Sequence, residues 1–326
     1  MSSPSRSLSR TDPASRPATP PWGRIGVFML IATGFLALCA LPFWILEDGI
    51  SHPLYSWVIS IGMFGPLIAS VVLAKAVERT SWRESVSLQF RGRWKSLALW
   101  IPLAVIVMLT LNILSAVLMV LRGVPGDLSG QSWAALLTEQ LSEAGAPMPT
   151  AAAVALVLGA TVFNLLVTVV PAFGEEIGWR GWLWQRLKPA GFTVAITLGG
   201  VLWSLWHLPV TLIGHNYPGA PRSLAIGMFL IACVAMNFLF GAITERCGGN
   251  PIPAAFAHAT LNSTLGVIIA IVSTSETAEA MNWFIDTPLG AVGIALLVVA
   301  AYVIMPRDAR SSFGGSGDAP PGIGVE

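Results

Sequence analysis

Long apolar runs separated by short polar stretches dominate the chain, at approximately 24–46, 54–77, 96–121, 155–187, 192–213, 223–244, 251–273 and 287–305. A helix crossing the ~30 Å hydrocarbon core needs ~20 mostly apolar residues. Each run therefore predicts a spanning helix, and together they predict an all-α, polytopic transmembrane bundle of about eight spans. The run from residue 25 is longer than the roughly 7–15-residue core of a cleavable signal peptide, so it is read as the first span. Residues 1–22, rich in Ser, Pro and Arg, predict a disordered cytoplasmic tail, and the Gly/Pro/Ser-rich stretch within 307–326 predicts another. The transmembrane helical domain is then 23–306. Residues 80–95 mix aromatics with arginine and predict a segment lying along the cytoplasmic interface. The loop 122–150 predicts a short amphipathic helix around WAALLTEQLSEA. No internal repeat is visible, so an inverted-repeat transporter gains no support.

Composition strengthens this picture. The 326 residues are 54% hydrophobic and 11% charged, where a soluble domain carries about 25% charge. The net charge of +1 and the lack of a basic patch interleaved with aromatics argue against nucleic acid and leave the lipid bilayer as the surrounding partner. The basic residues alternate by loop. One set holds Arg6, Arg10, Arg16 and Arg24, then Arg79 to Lys95, Arg186 with Lys188, Arg246, and Arg307 with Arg310. The opposite loops are acidic, from Glu47 and Asp48 to Glu276, Glu279 and Asp286, with Arg122 and Arg222 as their basic residues. Under the positive-inside rule this alternation fits eight spans with both termini cytoplasmic. Cys39, Cys233 and Cys247 have no paired spacing, which predicts neither a disulfide framework nor a thiolate zinc site.

Three polar constellations interrupt the apolar spans, where ionised groups are expensive and are functional candidates by default. The first is Glu175-Glu176 followed by Arg180. Helical neighbours lie three and four apart, so Glu176 and Arg180 can pair while Glu175 points about 100° away. Glu175, without an intrahelical partner, suits a general base. Charges snorkelling from a helix end would explain the same residues. The second is Trp203-Ser204-Leu205-Trp206-His207-Leu208-Pro209: Trp203 can pack on the imidazole one turn later, and Pro209 frees backbone carbonyls beside it. The third is His258 with Asn262, four apart on one face, a pair that could simply glue helices.

Depth joins the three. The turn near 189–191 makes a helical hairpin in which Glu175 lies 15 residues before residue 190 and His207 lies 17 after it. At 1.5 Å rise per residue their levels differ by about 3 Å. His258 lies closer to its loop, which is consistent only if 248–253 dips into the protein. All these groups would then meet in one cavity, expected to open toward the cytoplasmic side where Arg186 and Lys188 place the nearby loop.

EEIGWR, WSLWHLP and HATLN, in this order on separate helices, resemble the motifs of the CPBP family (Abi, type II CaaX prenyl endopeptidases) of intramembrane proteases. The resemblance covers roughly residues 170–265 and puts a protease core at about 155–273. Trp203 stands where the family usually has Phe. The resemblance implies that Glu175 and His207 activate a water and that His258 and Asn262 stabilise the scissile carbonyl. Glu176, Arg180 and Trp203 would be supporting. The implied reaction is hydrolysis of a protein or peptide substrate, prenylated in the case the family name describes. The family is commonly labelled metalloprotease, yet the chain lacks HExxH. Glu175, His207 and His258 could hold one Zn²⁺ with an open water position, or glutamate-assisted attack could run without metal; the residues leave both open, with a lean toward the second. A serine nucleophile and a GxGD aspartate dyad have no motif here. Competing readings are a non-enzymatic membrane scaffold or bacteriocin-immunity-type protein, and a proton-coupled transporter.

Overall fold

The computed structural model describes residues 19–217 and 220–311; most of the two expected tails lies outside the described residues. Among the described residues the regular structure is helical. The principal helices are α1 (Trp22–Ile45), α2 (Tyr55–Val77), α3 (Trp94–Leu121), α4 (Gln131–Glu143), α5 (Thr150–Ala190), α6 (Phe192–Trp206), α7 (Arg222–Arg246), α8 (Ile252–Val272) and α9 (Ala291–Ile304). Six of them, α1, α2, α3, α5, α7 and α8, are long and apolar enough to cross a membrane, whereas α6 and α9 are shorter apolar helices. The chain is an integral, multi-pass membrane protein. The shortness of α6 has a local cause. Pro209 stands shortly after, the helix stops at Trp206, and a single turn, Leu208–Thr211, continues it. The expected amphipathic helix in the loop 122–150 is α4.

Oppositely charged loops meet at opposite ends of the bundle. At one end Arg186 pairs with Glu78, Lys188 with Glu245, and Arg246 donates to the carbonyl of Ile304. At the other, Arg122 grips Asp286 with two hydrogen bonds of 2.6 Å, and Asp127 donates its backbone N–H to Val272 O. There the Asp127 carboxyl is held well below the usual carboxylate range by hydrogen bonds from Ser129 and Ser132. Most of the loop 80–95 is exposed, as an interfacial segment would be, but it is anchored to the bundle. Val86 and Leu88 are buried in the core and the Gln89 carbonyl accepts from Asn250, so this stretch plugs the basic end of the bundle.

Helix α5 divides in two. Up to Pro171 its apolar side chains are largely exposed, as a lipid-facing helix must be; from Ala172 to Trp184 the chain is buried except for the half-buried Phe173. The change coincides with a π-helical turn, Ile177–Leu183, of the kind that accumulates at functional sites. Glycine lets the buried half approach α2. A Cβ on Gly178 would stand 2.3 Å from Pro66 Cβ and 2.6 Å from its carbonyl carbon, the small-residue packing that membrane helices use. Gly178→Ala is expected to destabilise the protein by about 1–3 kcal/mol through overpacking, seen as a lower midpoint of thermal unfolding in detergent. An unchanged midpoint would show that α2 can slide away at no cost.

Candidate active site

The π turn and the adjacent helical turn bury charge completely. Glu176 and Arg180 are 0% exposed and Glu175 is 2% exposed, which rules out snorkelling at a helix end. Arg180 Nη1 donates to Glu176 Oε1 at 2.9 Å, as the four-residue spacing requires. The guanidinium lies over two neighbouring aromatic rings, 4.2 Å from the Trp203 ring centre and 5.0 Å from that of Phe240. Cation–π attraction is strongest for such a desolvated ion, and it offsets the lack of hydrogen-bond partners at Arg180 Nε and Nη2.

Glu175 has no intrahelical partner, yet it is not alone. Trp203 Nε1 donates to its Oε2 at 3.0 Å across the α5–α6 interface. Trp203 thus touches the acid directly, and its contact with His207 is a tilted one at 5.8 Å. The imidazole of His207 is held edge-on by Trp206 and Phe229. Its Nδ1 lies 2.9 Å from the Trp203 carbonyl. A carbonyl can only accept, so Nδ1 carries the proton and Nε2 is left as the acceptor. His258 Nδ1 lies 2.9 Å from Glu176 Oε1 and 3.9 Å from Glu175 Oε2. Its depth is explained as expected: residues 249–251 are buried, with Asn250 bonded to the loop at Gln89.

Glu175, Trp203, His207, His258 and Asn262 all line one cavity of about 580 Å³. Asn262 is exposed to it and has no hydrogen-bond partner among the described residues. The sequence reading missed several cavity residues. Asn164 and Thr168 share the cavity with Glu175, and their spacing of four and then seven on an otherwise apolar helix was the available signal. His215 also lines it, with Nδ1 3.1 Å from the Tyr55 hydroxyl. Burial pushes the His215 imidazole down to about 4, so it is neutral at physiological pH. Phe240 left no signal at all, because its partner Arg180 sits on another helix.

The direction of opening is a correction. Tyr55, Ser56, His215 and Leu289, which line the cavity, belong to the end of the bundle remote from Arg186 and Lys188. Toward the basic end the space is filled by Trp179, Trp182 and Trp184, each at most 2% exposed. The expected opening beside Arg186 and Lys188 is closed by bulky side chains.

Among the described residues, Glu175, Glu176 and His258 form a group whose ligand atoms lie within 4.8 Å of one another. The group differs from the expected metal candidates by having Glu176 in place of His207. Two carboxylates and an imidazole suit a divalent cation, and Glu176 Oε2 is a buried acceptor without a partner. The donors therefore fit.

Residues 157–264 match the family model described as type II CAAX prenyl endopeptidase Rce1-like. The matched segment contains EEIGWR, WSLWHLP and HATLN, so motifs and family model agree on the CPBP family. Over 150 residues the chain is 25% identical to CAAX prenyl protease 2 of Methanococcus maripaludis, covering 44% of this chain and 49% of that relative. The match spans about half the length of the relative.

Proposed function

We propose that this membrane protein, similar to the CPBP family over residues 157–264, is an endopeptidase that hydrolyses a peptide bond inside its cavity. The observation that carries the reading is convergence: Glu175, His207 and His258, from three separate segments, line one buried space. A water held between Glu175 and His207 Nε2 gives its proton to the carboxylate as its oxygen bonds to the scissile carbonyl carbon. The carbonyl oxygen becomes an oxyanion, stabilised by the Asn262 amide and by His258 donating from Nε2 while Glu176 holds its Nδ1 proton. Such preorganised donors are usually the largest contribution to rate. Collapse breaks the C–N bond, and Glu175 returns its proton to the leaving amine, so one water is consumed and an acid and an amine are released. Trp203 Nε1 fixes the rotamer of Glu175. A divalent cation, where bound, would be held by Glu175, Glu176 and a neutral His258, and its Lewis acidity would then take the place of the His258 donor.

His207→Ala is expected to lower cleavage about 10²–10⁴-fold. Comparative membrane proteomics of cells carrying wild type or this variant would reveal the substrate, and the cleavage would then be repeated in proteoliposomes. Unchanged cleavage, or pH-driven solute flux with no cleaved product, would remove the peptidase reading. Metal analysis of the purified protein tests the cation: about one ion per chain, lost in Glu176→Gln, is the outcome that assigns it.

A further inference from the structure

The two ends of this bundle differ in charge, and the cavity belongs to the wrong end for a substrate presented from the cytoplasm. Of the 18 Lys and Arg residues, Arg122 and Arg222 are the two in the loops at the cavity's end, whose other charges are acidic. Loops retained in the cytoplasm carry the Lys and Arg excess, so the basic end, with Arg24, the 79–95 loop, Arg186 and Lys188, is cytoplasmic. The helices contribute to the cavity from their middles or from their halves remote from that end, except α8, whose His258 lies near its start at the basic end. On α2 the lining residues are Tyr55 to Met63, on α5 Asn164 to Glu175, and on α8 His258 to Gly266. The floor is Glu175, Trp203 and His258; the mouth is framed by Ser56, Asn216 and Leu289. Beneath the floor, the Gly178–Pro66 contact and the buried tryptophans shut the cytoplasmic half.

We propose that the cavity opens to the non-cytoplasmic side and that its substrate is a polypeptide segment presented there. A prenylated tail displayed in the cytoplasm would meet the plugged end. The side of opening stands on geometry and charge alone; the nature of the substrate rests on the peptidase reading, and the two are tested separately.

Two single-cysteine variants, Ser56→Cys at the mouth and Ser81→Cys in the exposed loop at the basic end, are made with Cys39→Ala, since Cys233 and Cys247 are buried. Intact cells are treated with a membrane-impermeant biotin-maleimide. Ser56→Cys is expected to be labelled in intact cells, and Ser81→Cys only after lysis. Labelling of Ser81→Cys in intact cells, with Ser56→Cys protected, would overturn the proposed side. In parallel, new peptide termini that depend on Glu175 are mapped by comparing wild type with Glu175→Gln. Termini on non-cytoplasmic segments support the substrate class, and termini on cytoplasmic segments overturn it. If no termini depend on Glu175, the peptidase reading fails and the substrate class with it, while the labelling still decides the side.

Discussion

Glu175→Gln is expected to abolish proteolysis, by at least about 10²–10⁴-fold, in a protein that still inserts and folds. Glutamine has nearly the same shape, and its side-chain oxygen can still accept from Trp203 Nε1, the bond that now holds Glu175 at 3.0 Å. What it cannot do is take a proton from water. The local packing should tolerate the change, because the variant removes a negative charge that adjoins Glu176 and is buried to 2% exposure. Initial rates of product formation in proteoliposomes, with thermal unfolding in detergent as the control, separate the two effects. Unaltered cleavage by a stable Glu175→Gln protein would take this carboxylate out of the chemistry.

The second large effect is on stability. Arg180→Met should destabilise the protein by about 3–5 kcal/mol, the usual result of removing one partner of a buried ion pair. Glu176 is 0% exposed and accepts from both Arg180 and His258, so loss of the guanidinium leaves a buried carboxylate without its fixed positive partner. Arg180→Lys should rescue little, because an ammonium cannot present the planar stack that lies over Trp203 and Phe240. Combining Arg180→Met with Glu176→Gln should restore much of the loss, since replacing both members of a buried pair is often neutral. The unfolding midpoints of the two single variants and the double variant measure this coupling. Simple additivity would show that the pair contributes packing and no electrostatic coupling.

Much of the site was legible because it is local. The Glu176–Arg180 pair is a consequence of helical spacing, and the π turn begins just after Glu176 and does not break it. The common depth of Glu175 and His207 followed from counting residues on either side of a tight turn, and both line the cavity. Other features were illegible for an equally physical reason. Trp203 reads as an aromatic neighbour of His207 along α6, yet its N–H crosses to Glu175 on α5. The pairing of His258 with Glu176 spans 82 residues, and no spacing rule acts at that range. The stretch 80–95 looks interfacial by composition and is mostly exposed, but nothing in that composition shows that Val86 packs against Gly181 and helps plug the basic end.

The sequence alone determined that this protein lives in the bilayer, how its basic and acidic loops alternate, and which polar residues stand in its apolar helices. These follow from transfer energies and helical periodicity, which are properties of single segments. Only the tertiary structure decided which carboxylate meets which imidazole, that Glu176 joins the group able to hold a cation, and that the cavity faces away from the basic end. Those outcomes depend on which helices touch. Contact is set by glycines such as Gly178 fitting against Pro66 and by tryptophans filling one half of the bundle, and a one-dimensional pattern does not record where that volume goes.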